Sequence, residues 1–165
     1  MSLAPAPHAV GVFPTYSRHR SEVALKIREK KLSFTGDDFD ITDAATGAKV
    51  FHVDGKVFSL QGRKEISDAA GNRLFTLLKS HFHIYTTFHG KGPASDATIF
   101  TVKSFSKAAF STAKAKNTYN DVPVARIRQV LQRGSTAVIL TVAPGVNFAL
   151  LAAFCICLDK KANEQ

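Results

Sequence analysis

The sequence predicts a mainly β protein in which a closed antiparallel sheet surrounds one apolar helix near the C-terminus. From residue 24 onward, apolar and polar residues alternate in short runs. Turn residues interrupt these runs about every eight to twelve positions, which is typical of sandwiches and barrels. Two runs, ITDAATGAKVF at 41–51 and ISDAAGNRLF at 66–75, nearly repeat each other. A third run, residues 134–158, contains no charged residue.

The repeated phrase is interpreted as a repeated hairpin. Each copy predicts a strand, a tight turn in which Asp and Gly set the backbone geometry, and a return strand ending in an aliphatic residue and Phe. Asp43 and Asp68 are therefore interpreted as turn formers rather than as catalytic acids. Gly47 and Gly71 are expected at backbone positions with positive φ.

A further hairpin is predicted in KVFHVDGKVFSL, because Asp-Gly between two apolar runs favours a type I′ turn. This places Asp54 and Gly55 at the turn, with Gly55 at positive φ. Additional strands are predicted in HFHIYTTF, ATIFTVKSF, VPVARIRQV and STAVILTV. The pattern gives about ten to twelve strands in all.

The uncharged run near the C-terminus is predicted to be a strand followed by a buried helix. Pro144-Gly145 divides it into TAVILTV and VNFALLAAFCICL. The second piece predicts a helix over Val146–Leu158 with Asn147 as its N-cap. It is about 20 Å long, against about 30 Å of membrane hydrocarbon, and a helix that is apolar all round must be buried. A closed sheet provides a place to bury it.

Length, composition and cysteine usage indicate a single intracellular domain. The chain has 165 residues, a net charge of +9 and two cysteines. Cys155 and Cys157 are too close in sequence for a ready disulfide and too few for a metal site, so they are interpreted as small buried hydrophobes in a reducing compartment. We expect a flexible arm at 1–17, one domain at 18–160 and a tail at 161–165. Residues 1–12 lack the pattern of a signal peptide.

Five runs in order resemble the LURP-one-related family. They are FDITDAATGAKVFHVDGKVFSL, ISDAAGNRLFTL, IFTVKSF, PVARI and TVAPGVNFALLAAFCICLD, and the resemblance covers about residues 20–160. It implies a twelve-stranded antiparallel barrel around one hydrophobic C-terminal helix, as in the tubby C-terminal domain and the phospholipid scramblases. The chain departs from the family in having no Trp near 83–85, and in having Asn147 where an acidic residue usually opens the helix.

Neither the resemblance nor the motifs indicate an enzyme, a cofactor or a metal. The family has no agreed enzymatic activity, and the sequence contains no GxSxG, HExxH, P-loop or GxGxxG motif, so we assign no catalytic residue. His81 and His83 form an HxH pair, but the sequence offers no third ligand of known proximity. Plant members are linked to defence against pathogens, and the tubby relatives bind phosphoinositides through basic side chains.

Basic residues supply the candidate binding site. In VARIRQV the period of two places the two arginines on the outer face, with Ala125, Ile127 and Gln129 on the other. An inward pair of arginines against an apolar helix would be unsatisfied. The candidate ligand-binding residues are Lys103, Lys107, Arg126 and Arg128.

The sequence is therefore interpreted as a non-catalytic, cytoplasmic binding or adaptor protein. Its expected partners are anionic phospholipids, such as phosphoinositides, contacted peripherally without a transmembrane span, or a protein. A nuclear location stays open. The alternatives are a scramblase-like lipid-handling protein and a nucleic-acid-binding module. The phenylalanines disfavour the nucleic-acid alternative because they recur at core spacing rather than as exposed stacking platforms.

Overall fold

A computed structural model describes residues 2–6, 11, 13–30, 38–55, 62–82, 85–95, 97–104, 117–119, 122–132 and 135–163. A 3₁₀ turn at Pro14–Tyr16 precedes the strands, and one helix, α1, spans Phe148–Asn163. The strands are β1 Val23–Glu29, β2 Phe39–Asp43, β3 Lys49–Gly55, β4 Lys64–Asp68, β5 Arg73–Phe82, β6 Tyr85–Lys91, β7 Thr98–Ser104, β8 Asn117–Tyr119, β9 Val122–Gln132 and β10 Ser135–Val142.

The strands form a single antiparallel sheet. Within the described ranges it has ten strands in the order β7-β6-β5-β4-β3-β2-β1-β10-β9-β8. Consecutive strands pair as neighbours except β7 and β8, and β1 also pairs with β10, which joins the first strand to the last hairpin. The prediction of a mainly β protein with one C-terminal helix is confirmed.

The sheet curls around α1. The helix contacts β1 and β10 and also β7, the end strand of the sheet. Five strands lie between β7 and β1. At about 4.8 Å per strand a flat sheet would hold them roughly 29 Å apart, far more than the 10–12 Å diameter of a helix, so the strands must bend round it.

The predicted closure of the barrel is not present in the described sheet. No ladder joins β7 to β8 there, and the ten strands fall short of the predicted twelve. The segment 105–116, which connects these two strands, lies outside the described residues. The architecture is thus a curled antiparallel sheet filled by a helix, without a closed ring of strands in the part that is described.

The helix is buried as its composition predicts. It begins after Asn147 rather than at Val146, and it continues past Leu158 to Asn163. Among the helical residues up to 157, whose burial the structure describes, seven have almost no exposed surface: Ala149, Leu151, Ala152, Ala153, Cys155, Ile156 and Cys157. Burial raises the pKa of the Cys157 thiol to about 12, with only partial opposition from the charge of Lys64. Both cysteines are free and buried, as expected of small core residues.

Asn147 is the predicted N-cap and is fully buried. Its Oδ1 accepts a hydrogen bond from the backbone N–H of Leu150 at 3.0 Å. Its Nδ2 donates to the carbonyl oxygen of Phe13 at 2.9 Å. The amide therefore satisfies one of the open N–H groups at the helix start and also ties the N-terminal segment to it.

The described part of the predicted arm packs against the core. Leu3 is buried, and its N–H donates to the carboxylate of Glu22. The Phe13 ring lies 5.1 Å from that of Phe75, and Tyr16 lies 5.3 Å from Phe148 of the helix. These contacts cover the N-terminal end of α1. Flexibility of residues 1–17 stays a prediction, but this part of the arm has defined partners.

The predicted hairpin turn at Asp54-Gly55 is wrong. Both residues belong to β3, where Asp54 pairs with Glu65 and Gly55 with Lys64 of β4. Gly55 is also absent from the described glycines with positive φ. The strand continues because its partner β4 extends the ladder to this point. The second strand predicted at 56–60 lies outside the described residues.

The two repeated turns are confirmed, and they are built alike. Oδ1 of Asp43 accepts hydrogen bonds from the N–H groups of Ala45 at 2.9 Å and Thr46 at 2.7 Å. Oδ1 of Asp68 accepts from the N–H groups of Ala70 at 3.0 Å and Asn72 at 2.8 Å. The glycines after them have positive φ, 74° at Gly47 and 89° at Gly71. The duplicated phrase thus encodes a turn, in which carboxylates hold the backbone.

These carboxylates should make the protein sensitive to acid. Hydrogen bonds from Thr46 lower the pKa of Asp43, and those from Asn72 lower the pKa of Asp68. Because the pKa of each carboxyl is lower in the folded than in the unfolded protein, the ionised group stabilises the fold. This stabilisation is complete above the pKa of the unfolded chain, about 3.9, and is lost as the pH falls through the pKa of the folded protein. We expect the melting temperature of Asp43→Asn/Asp68→Asn to fall less between pH 5 and pH 3 (about the range of this titration) than that of the wild type. Parallel pH profiles for the two proteins would contradict this role.

Candidate anion-binding surface

The outer face of β1 and β9 carries a row of basic side chains. Arg126 and Arg128 are exposed, while Ala125 and Ile127 between and before them are buried. The predicted orientation of the two arginines is therefore confirmed. Gln129, expected to face inward, is exposed.

Strand β1 adds two cations to this face. Lys26 and Arg28 alternate with the buried Leu25 and Ile27, so they point outward. The sequence pattern ALKIREKKL contains this signal, yet only the pairing of β1 with β10 brings these residues beside β9. We define the cationic strip as Lys26, Arg28, Arg126 and Arg128.

The register fixes the spacing of the strip. Arg128 lies opposite Ile139 of β10, and Lys26 lies opposite the same Ile139 from the other side. Two strand spacings of about 4.8 Å place the Cα atoms of Arg128 and Lys26 about 10 Å apart, and alternate residues along one strand lie about 7 Å apart. Four cations thus share one small patch of sheet.

The neighbouring acidic residue is already engaged by other cations. Asp40 of β2 lies opposite Arg28 in the ladder. Its Oδ1 is 3.4 Å from Nζ of Lys30, 3.7 Å from Nζ of Lys49 and 3.2 Å from Nδ1 of His52. Oδ1 of Asp40 is thus shared by Lys30, Lys49 and His52, and His52 in turn bonds Asp54.

The other two predicted site residues are not joined to the strip by strand pairing. Lys103 lies on β7, opposite Thr87, and its side chain lies outside the described part of the chain. Seven strands separate β7 from β9 in the sheet order. Lys107 lies outside the described residues. Their membership in a binding site stays a prediction.

Two lysines that the sequence pattern does not single out face the interior. Lys64 is 3% exposed, and its Nζ lies 4.5 Å from the centre of the Phe39 ring. Gly55 lies directly opposite Lys64 in the ladder and, having no side chain, leaves room beside it. Lys79 is also buried. The period of two does place them inward, but a lysine at such a position is ordinarily assigned to the surface.

The histidines show no metal site in the described ranges. No group of three or more His, Cys, Asp or Glu side chains there has the arrangement to hold a metal ion. His52 instead bonds Asp40 and Asp54, with Nε2 2.7 Å from Oδ1 of Asp54. The imidazole of His89 contacts Ser80 Oγ at 3.2 Å. Of the predicted HxH pair, the side chain of His81 and all of His83 lie outside the described residues.

The fold and surface define a class of protein: a curled antiparallel sheet, filled by an apolar helix, with a cationic outer strip. The family model described as LURP-one-related matches residues 23–159. The chain belongs to the LURP-one-related family, as its motifs predict.

Comparison with solved structures identifies the same fold. An X-ray structure of a protein from Arabidopsis thaliana is similar with a TM-score of 0.60 and 20% sequence identity, covering 92% of this chain and 98% of that chain. At this identity the similarity shows the fold alone. No curated protein matches the chain.

In the part of the chain that the structure covers, no helix has both the length and the apolar character needed to cross a membrane. Helix α1 has 16 residues, which is about 24 Å of helix, against about 30 Å of hydrocarbon.

Proposed function

We propose that this protein is a non-catalytic binding or adaptor module that docks on anionic phospholipid membranes through the cationic strip. The observation that carries the proposal is the register, which gathers basic side chains from β1 and β9 on one outward face. Each basic residue near an anionic lipid surface contributes about 1 kcal/mol at low salt. Four such residues are therefore enough for reversible, salt-sensitive binding without a lipid anchor.

An exposed apolar side chain supports a membrane over a soluble partner. Leu131 follows Arg128 on β9 and is 78% exposed. By the alternation of side chains along β9, Leu131 belongs to the face that points to the core. It lies at the far end of the strand, however, next to the hairpin with β10. Peripheral membrane proteins combine basic residues that meet the headgroups with apolar residues that enter the interface. A single exposed leucine is common on proteins, and this one lies three residues beyond Arg128, near the end of β9.

Nucleic acid is supported less well. Proteins that bind single strands without sequence preference stack bases on exposed aromatic rings between their basic residues. Among the described residues the large hydrophobic side chain on the surface is Leu131, while rings such as Phe51 and Phe75 are fully buried.

The proposed docking would put the protein at the cytoplasmic leaflet, where the anionic lipids are. The link to defence that the family resemblance implies stays a prediction.

The test is vesicle binding by a variant that neutralises half of the strip. Wild type should bind phosphatidylserine vesicles, and Arg126→Gln/Arg128→Gln should bind roughly 30-fold more weakly at low salt, because it loses two charges worth about 2 kcal/mol together. Binding should be measured by co-sedimentation at low salt and near 0.15 M ionic strength, where the Debye length is about 8 Å. Leu131→Ser should weaken binding with little dependence on salt.

The matched control is Arg73→Gln/Lys91→Gln, which removes the same amount of charge from β5 and β6, away from the strip. It should bind phosphatidylserine vesicles as the wild type does. Equal losses in the two double variants would show that only net charge matters. Phosphoinositide vesicles measured alongside show whether a headgroup is preferred. Failure of the wild type to bind either kind of vesicle would refute membrane docking and favour a protein partner.

A further inference from the structure

A second basic cluster lines a cavity on the outer face of β4, β5 and β6. The cavity has a volume of about 260 Å³. Nine of the described residues line it, three of them basic and none acidic: Arg63, Arg73, Thr76, Leu78, Lys91, Gly92, Pro93, Ala94 and Ser95. It lies apart from the cationic strip, since β5 and β9 are separated by five other strands in the sheet order.

The ladder brings these residues together from distant parts of the sequence. Glu65 of β4 pairs with Thr76 of β5, and Thr76 pairs with Lys91 of β6, so the three form one row across the outer face. Arg73 lies opposite Ser67, next to a register shift between β4 and β5. Irregularities of this kind redirect side chains and often adjoin functional sites.

A single carboxylate holds the two guanidinium groups in place. Oε1 of Glu65 is 3.0 Å from Nη2 of Arg63 and 3.9 Å from Nη1 of Arg73. Among the described residues, these three cations and this one carboxylate sum to a net charge of +2. Guanidinium groups fixed in this way are arranged in advance to bind an anion through paired N–H donors.

The segment after β6 encloses the site. Thr76 occupies an outward position in the row, yet it is only 5% exposed. Gly92, Pro93, Ala94 and Ser95 line the same cavity, and Nη2 of Arg73 donates to the carbonyl oxygen of Pro93 at 2.9 Å. The segment therefore forms a wall over the sheet, which makes a concave site out of an otherwise open face.

We propose that this cavity binds a phosphomonoester, with Arg63, Arg73 and Lys91 contacting the phosphate. A phosphate monoester carries a charge of about −1.5 to −2 at pH 7, which balances the net +2 of the site. The cavity is smaller than the roughly 300–1,000 Å³ of pockets for drug-sized ligands, and its lining is mainly polar. The organic part of the ligand is accordingly a small polyol, either free or as the headgroup of a lipid.

Calorimetric titration with glycerol 3-phosphate tests the site in solution. The wild type should bind it, and should bind dimethyl phosphate, a singly charged diester, about tenfold or more weakly. Arg73→Gln/Lys91→Gln should weaken glycerol 3-phosphate binding by about a hundredfold, since it removes two charged donors and each charged hydrogen bond contributes about tenfold. Arg126→Gln/Arg128→Gln should bind it as the wild type does. Should the Arg73 variant fail to fold by circular dichroism, Lys91→Gln alone, which keeps the Arg73–Pro93 bond, makes the same comparison.

A vesicle arm identifies the source of the phosphate. Phosphatidic acid is a monoester lipid and phosphatidylglycerol is a diester. If the wild type prefers phosphatidic acid and Arg73→Gln/Lys91→Gln does not, the site is supported and its ligand is a lipid headgroup. Equal binding of the two lipids, together with binding of glycerol 3-phosphate, would support it with a soluble ligand. The proposal would be overturned if the wild type bound no monoester. It would also be overturned if Arg73→Gln/Lys91→Gln and Arg126→Gln/Arg128→Gln lost monoester binding equally. Both outcomes are independent of whether the cationic strip binds phosphatidylserine.

Discussion

Leu151→Asp is expected to abolish folding. Leu151 lies in α1 and is 4% exposed, in a helix that contacts strands on both sides of the curled sheet. An ionised carboxylate buried there without a partner costs several kcal/mol, and the leucine packing is lost as well. Domains are stable by only about 5–15 kcal/mol, so this single change removes most or all of the free energy of unfolding.

Two further variants show that position rather than chemistry is responsible. Leu151→Ala, which removes packing without adding charge, should lower the free energy of unfolding by about 2–5 kcal/mol in chemical denaturation. Leu131→Asp makes the same substitution on a side chain that is 78% exposed, and should change stability by less than about 0.5 kcal/mol. A soluble Leu151→Asp protein as stable as the wild type would refute the central position of the helix.

Gly90→Ala should destabilise the protein by about 3 kcal/mol, at the upper end of the range for overpacked cores. Gly90 is buried on β6, and a Cβ added there would overlap the ring of Phe100. That ring cannot easily move, because it packs 5.2 Å from the Phe75 ring and 5.8 Å from the Phe154 ring of the helix. The overlap must therefore be relieved by shifting β6, β7 or α1.

Gly92→Ala is the matched control for this prediction. Two residues further along, an added Cβ would meet the Ile99 side chain at 3.8 Å, an ordinary van der Waals contact. Its melting temperature should stay close to that of the wild type. Replacing the Phe100 ring with the smaller leucine side chain, in the double variant Gly90→Ala/Phe100→Leu, should recover part of the lost stability. If the melting temperatures of Gly90→Ala and Gly92→Ala are equal, Gly90 does not pack against Phe100 as closely as the structure shows.

Local patterns predicted what depends on neighbouring residues in the chain. The Asp and Gly of each repeated phrase form a turn, because a carboxylate reaches N–H groups two to four residues on and glycine accepts positive φ. Asn147 was foreseen as a cap by the same local logic. The apolar run after Gly145 predicted a buried helix, since no polar face was left to meet water.

Local sequence patterns gave wrong predictions where pairing with a neighbouring strand determines the backbone conformation or the direction of a side chain. Asp54-Gly55 has the signature of a hairpin, but β4 supplies hydrogen-bonding partners that keep these residues in β3. Lys64 would be placed on the surface by its charge. The ladder turns it inward, opposite Gly55 and over Phe39.

By itself, therefore, the sequence determined the mainly β class, the family, the two repeated turns and the buried helix. It also determined that Arg126 and Arg128 face outward, because alternation along a strand is a local property. Only the tertiary structure decided that Lys26 lies across β10 from Arg128, and that Arg73 and Lys91 meet at one cavity. Those groupings depend on which strands pair and in which register. Pairing is fixed by contacts between distant segments that bury the shared core, and no short stretch of the chain encodes them.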